Sequence, residues 1–67
     1  MDNYDNLSGK IRAFRKLKGL TQNELADKIG VSVAVLGSVE RGTRKADAKL
    51  LRSIAEALGI DRDELTG

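Results

Sequence analysis

The sequence predicts an all-α protein built from five short helices. Three observations carry that expectation. Proline is absent from all 67 residues, so no imide ring interrupts a helix. Apolar residues recur at i, i+3, i+4 and i+7, and no alternating β-branched run of strand length occurs. Each helical stretch starts or stops on a residue that caps or turns the backbone. A single domain over residues 1–67 accounts for the whole length.

The first helix is expected over residues 8–18. Leu7, Ile11, Phe14 and Leu17 fall within about 120° of arc at about 100° per residue. Arg15, Lys16 and Lys18 precede Gly19 and match the negative end of the helix dipole. The second helix, 22–29, opens on a capping box of Thr21 and Glu24, which satisfies two otherwise orphan amides. It turns Leu25, Ala26 and Ile29 inward and stops at Gly30. The third, 33–41, is capped by Ser32 and stopped by Gly42. Only Gly30, Val31 and Ser32 separate the second helix from the third, and so short a turn forces a sharp angle. That is the spacing of a helix-turn-helix unit. The fourth helix, 48–58, is capped by Asp47, carries Leu51, Ile54, Ala55 and Leu58 on one face, and closes at Gly59. A last short helix, 62–65, follows a second box of Asp61 and Glu64, with Leu65 facing back.

Composition removes most chemistry. With no cysteine and no histidine there is no disulfide, no thiolate or imidazole metal site and no His general base. No spacing sets a base beside a nucleophile, and no pocket is implied. The acids Asp61, Asp63 and Glu64 lack the loop pattern and glycine of a calcium site, and read as helix caps. No run resembles a signal peptide or a membrane span. The expectation is a cytoplasmic protein that is not an enzyme, binds no cofactor or metal and does not engage a membrane. The net charge of +2 hides a split. Residues 8–52 hold eleven Lys/Arg against four Asp/Glu, whereas both ends are acidic. A basic middle favours an anionic partner.

The third helix shows where that partner would bind. With Val33 at the origin of a helical wheel, Val35, Val39, Ser32 and Leu36 occupy the core side. Val33, Gly37, Arg41, Ala34 and Ser38 occupy about 0–140°, the outer side, with Glu40 on the border. The outer face is small and nothing in the helix requires its burial, so another surface can approach closely. Arg41, Thr43, Arg44 and Lys45 lie at or just beyond its end. Gln22 and Asn23 lie at the amide-rich start of the second helix, where an anion is favoured. Cations and free amides around a bare helical face suit a phosphate backbone beside a groove.

The stretch IRAFRKLKGLTQNELADKIGVS, followed by VLGSVERG and LLRSIAEALGID, closely resembles the phage-repressor/Cro-type (Xre-like) helix-turn-helix family over about residues 9–65. The agreement covers Gly19 to Gln22, Leu25-Ala26, the Gly30-Val31-Ser32 turn, Glu40-Arg41-Gly42, and Ala55, Ala57, Leu58 and Gly59. The resemblance implies a repressor-like DNA-binding domain with the third helix in the major groove. It implies base-facing roles for Val33, Ala34 and Ser38, with Gly37 allowing close approach. It implies phosphate contacts from Gln22, Arg41, Thr43, Arg44 and Lys45, to which the position of Asn23 adds a further candidate. It also implies a structural ion pair between Arg15 and Glu40. The wheel agrees independently, since each borders the apolar stripe of its own helix.

The chain departs from the family where many members carry Gln, Arg or Asn at base-facing positions. Val33 and Ala34 can pack on thymine methyls, and Ser38 can bond either type of base. Preference then rests more on DNA shape and phosphate placement. Ala46 stands where the family often has proline, and Asp47 replaces a common Ser cap. The expected partner is double-stranded DNA, bound by a homodimer on an inverted repeat. Either this domain dimerises itself, through exposed apolar residues around Ile60 and Leu65, or the chain is part of a longer regulator. A protein-binding module of the same fold, antitoxin-like or docking a partner or antirepressor on the Val33/Ala34 face, is the alternative.

Overall fold

A computed structural model describes residues 3–66, with side chains from Leu7 to Thr66. It contains α1 (Asn3–Leu17), α2 (Gln22–Ile29), α3 (Val33–Arg41), α4 (Ala48–Leu58) and α5 (Arg62–Thr66). No strand occurs among the described residues.

The four later helices begin where their caps direct. Thr21 Oγ1 accepts from the Glu24 amide at 3.1 Å, and the Thr21 amide donates to Glu24 Oε1 at 2.8 Å. The Thr21 backbone and hydroxyl donors hold the Glu24 carboxyl below its ordinary pKa. Ser32 Oγ accepts from the Val35 amide at 3.2 Å, and Asp47 Oδ1 from the Leu50 amide at 2.8 Å. At α5 the Asp61 amide donates to Glu64 Oε2 at 3.2 Å, which is one arm of the expected box. Gly30 ends α2 at φ 74° and Gly42 ends α3 at φ 79°, left-handed conformations that glycine adopts without a Cβ penalty.

The first helix differs from expectation. It starts at Asn3 rather than Ser8, and Ser8 lies buried inside it. Its inward face is also broader than expected, while Leu7 and Phe14 pack against the core beside the buried Ile11 as the stripe predicts. Leu17, expected in the apolar stripe, is 76% exposed, whereas Ser8, Ile11 and Arg15 are buried. Those three stand at i, i+3 and i+7, on an arc centred roughly 90° round the helix from the centre of the stripe that apolar residues alone define, with Ile11 shared by both. Burial there follows the neighbour, because Arg15 faces the only carboxylate of α3.

Leu25 and Ala26 of α2, Leu36 and Val39 of α3, and Ile54, Ala55 and Leu58 of α4 meet Ile11 in one core. α2 packs on both α3 and α4, while α1 lies against α3 and α5. The three-residue turn at Gly30–Ser32 sets α3 across α2, with Val31 half-buried beneath it. On α3, Val35 is only half-buried, and Ser32, expected on the core side, is an exposed cap. Ala46 is buried at 6% exposure and closes the core under the α3–α4 loop.

The C-terminal residues correct another expectation. Leu65 is 1% exposed and Ile60 is half-buried against the core. α5 seats Leu65 between α1 and α4, so this pair completes the fold and offers no exposed apolar patch for self-association.

Candidate nucleic-acid interface

The face of α3 away from the core is narrow and small. Val33 is 41% exposed, Ala34 is exposed and Ser38 is half-buried. Gly37, expected to be open to a groove, is buried. The side chains of Arg41 and Gln22 lie over it, as there is no Cβ to hold them off. An ideal Cβ at residue 37 would stand 3.1 Å from Arg41 Nη1 and 3.7 Å from Gln22 Oε1.

The expected ion pair is present and buried. Arg15 Nε donates to Glu40 Oε2 at 2.8 Å and Arg15 Nη2 to Glu40 Oε1 at 3.1 Å, a two-pronged fork. Arg15 Nη1 also donates to the Leu20 carbonyl at 2.8 Å, tying the end of α1 to the start of α2. Gln22 joins this network, donating from Nε2 to Glu40 Oε1 at 3.1 Å. One of its two amide hydrogens is therefore spent inward, and the other stays available to an incoming acceptor. Asn23 beside it is exposed.

Beyond α3 the chain turns at Gly42 and returns to the same carbonyl. The Ser38 carbonyl accepts from the Thr43 amide at 3.0 Å, the Thr43 hydroxyl at 3.2 Å and the Arg44 amide at 3.3 Å. These bonds fix the loop against α3 and present Arg44 and Lys45, both exposed, at a defined distance from its outer face. The Thr43 hydroxyl is thus engaged in shaping the loop.

Sequence reasoning missed Arg12. It lines a recess of about 260 Å³ with Arg15, Gln22, Glu40 and Arg41, where α1, the start of α2 and the end of α3 converge. Glu40 balances Arg15, so the exposed guanidinia of Arg12 and Arg41 leave the recess positive. The available signal was Arg12 and Lys16 at i and i+4, both on the same side of Arg15 on the wheel. A wider depression of about 400 Å³ between α2 and α4 is lined by Lys28, Ile29, Ser53, Glu56 and Ala57, with charges of both signs. Among the described residues no group of His, Cys, Asp or Glu is arranged to hold a metal ion. No helix among them is long and apolar enough to cross a membrane.

Known proteins share this architecture. The helix-turn-helix family model matches residues 11–65. The HTH-type transcriptional regulator YazB of Bacillus subtilis is 50% identical over 56 residues, 84% of this chain and 81% of YazB. The immunity repressor protein of Bacillus phage phi105 is 36% identical over 58 residues, which are 87% of this chain and 40% of the repressor. Among solved structures, the restriction-modification controller protein C.AhdI from Aeromonas hydrophila superposes with a TM-score of 0.89 at 34% identity, covering 92% of this chain and 94% of that one. The clp gene regulator ClgR from Corynebacterium glutamicum gives 0.93 at 34% identity, covering 97% of this chain and 69% of that one. An exposed helix behind a three-residue turn, a cationic loop pinned to its end and these relatives agree: the chain belongs to the Xre/Cro-type helix-turn-helix family of DNA-binding transcriptional regulators.

Proposed function

We propose that this protein is a cytoplasmic repressor that binds duplex DNA as a homodimer on an inverted repeat, with α3 in the major groove. One observation carries the reading. A bare face of α3, formed by Val33, Ala34 and Ser38, is bordered by Arg44 and Lys45 on a loop that three hydrogen bonds hold to the Ser38 carbonyl. A rigid relation between a helix that enters a groove and cations that meet phosphate fixes register on the duplex. Gln22 and Asn23, at the start of α2, and Thr43 complete the proposed phosphate set. Arg12 and Arg41 add charge beside them. The phage immunity repressor among the relatives supports repression over activation.

Two protomers place two such helices about one helical turn of DNA apart, which is why the operator is an inverted repeat. Salt dependence tests duplex binding directly. Several phosphate contacts release several counterions, so affinity should fall about 10³-fold between roughly 50 and 200 mM salt. A flat response, or no binding to any duplex, would sink the reading. It would favour instead a protein-docking role for the α3 face, the second reading that the 41% exposure of Val33 supports. Changing Arg44→Gln with Lys45→Gln should reduce the salt slope and leave sequence preference in place.

A further inference from the structure

The residues proposed to face bases carry few donors, and the structure narrows them further. Ser38 Oγ donates its only hydrogen to the Ala34 carbonyl at 3.0 Å. Toward a base it therefore presents lone pairs alone, an acceptor for the amino group of cytosine or adenine. Val33 and Ala34 have nothing but carbon to offer. A guanine, whose groove edge is two acceptors, meets no donor from these three side chains.

Arg41 supplies one. It lies at about 80° on the wheel of α3, near the middle of the outer face, and Gly37 lies at about 40° one turn before it. A helical side chain slants toward the N-terminus, so that of Arg41 runs back over the preceding turn. Its Nη1 comes within 3.1 Å of the place a residue-37 Cβ would occupy, and its Nη2 donates to Ser38 Oγ over a long 3.4 Å. The guanidinium thus lies along the face of the helix, steered by Ser38 and admitted by Gly37. One long bond occupies one of its five hydrogens, and it remains exposed.

We infer that Arg41 is a specificity-determining residue that reads a guanine through O6 and N7, and that Gly37 positions it by leaving room on the helix. The inference rests on the DNA-binding reading above and departs from a plain phosphate role for this arginine. Gly37 acts through Arg41 and touches no base itself.

Selection of bound sites from random duplexes tests it, followed by affinity measurements on the selected site and on the same site with single base changes. The wild type should enrich an inverted repeat with one strongly preferred guanine per half-site. Replacing that guanine by adenine should weaken binding roughly 10- to 100-fold. Arg41→Gln should abolish the preference at that position alone, with circular dichroism confirming the fold. Gly37→Ala keeps the charge of Arg41 but makes its guanidinium give way by a few tenths of an ångström, and should reduce the same guanine preference while holding the salt slope. If Arg41→Gln instead keeps the full consensus, weakens all sites alike and lowers the salt slope by about one, Arg41 is a phosphate contact and the inference is wrong. If the wild type enriches no duplex, the DNA-binding reading itself fails.

Discussion

Glu40 is 6% exposed and accepts three hydrogen bonds, two from Arg15 and one from Gln22. A buried ion pair contributes little net stability once desolvation is subtracted, but removing one partner strands the other charge. Glu40→Ala should therefore lower the stability of the fold by about 3 kcal/mol, measured by thermal or denaturant unfolding. A loss under about 0.5 kcal/mol would mean that the pair behaves as a surface contact. The joint change of Arg15→Met with Glu40→Leu removes both charges, so it should cost less than Glu40→Ala alone. The pair matters more for geometry than for net energy. Through Arg15 and Gln22 it locks the end of α3 to α1 and to the start of α2, the three places from which the proposed interface is built. This pair was implied by the family resemblance, and the wheel agreed with it because both residues border apolar stripes. That Gln22 belongs to the same network was not, since a residue just after a cap has no wheel position that distinguishes a brace from a free side chain.

At the scale of elements, α3 keeps a glycine where helix propensity disfavours one. Glycine in a helix interior costs about 0.5–1 kcal/mol relative to alanine. The neighbour nearest a new methyl is the far end of the Arg41 side chain, which can move cheaply. Gly37→Ala should therefore raise stability by up to about 1 kcal/mol in denaturant titrations. A net loss would show that Arg41 and Gln22 cannot yield. Stability gained while base preference is lost would separate the fold of α3 from its recognition surface. The first helix gives the contrasting lesson. Its apolar residues place the inward face around Leu7, Ile11, Phe14 and Leu17, yet the buried residues are Ser8, Ile11 and Arg15. Hydrophobic periodicity locates a face only when burial is decided by apolar area. Here a charged partner on another helix widens the face to take in Arg15, while Leu7 and Phe14 still pack against the core and Leu17 at the last turn is left in solvent.

At the scale of the molecule, the acidic ends and the basic middle keep their meaning, because Arg12, Arg41, Arg44 and Lys45 are all exposed. Self-association is where the fold alters expectation most. Leu65 is committed to the core and Ile60 packs beside it, so neither is available to a second copy. The homodimer proposal is checked by sedimentation on a duplex carrying the selected inverted repeat. Saturation should add two 7.3 kDa chains per duplex. One chain per duplex at saturating protein would remove the homodimer while leaving DNA binding intact.

The sequence alone determined the helices after the first, since their limits are written in local chemistry. Thr21, Ser32 and Asp47 supply the side-chain oxygen that a helix start needs, and Gly30, Gly42 and Gly59 the left-handed turn that ends it. It also determined the short turn between α2 and α3, and with it the family. Only the tertiary structure decided which face of α1 is buried, that Leu65 closes the core, that Gln22 braces Glu40, and that Arg41 lies back across Gly37. Each of these depends on a partner distant along the chain. Caps and turns are set within about four residues, whereas the direction of a long polar side chain is set by what the fold brings to meet it.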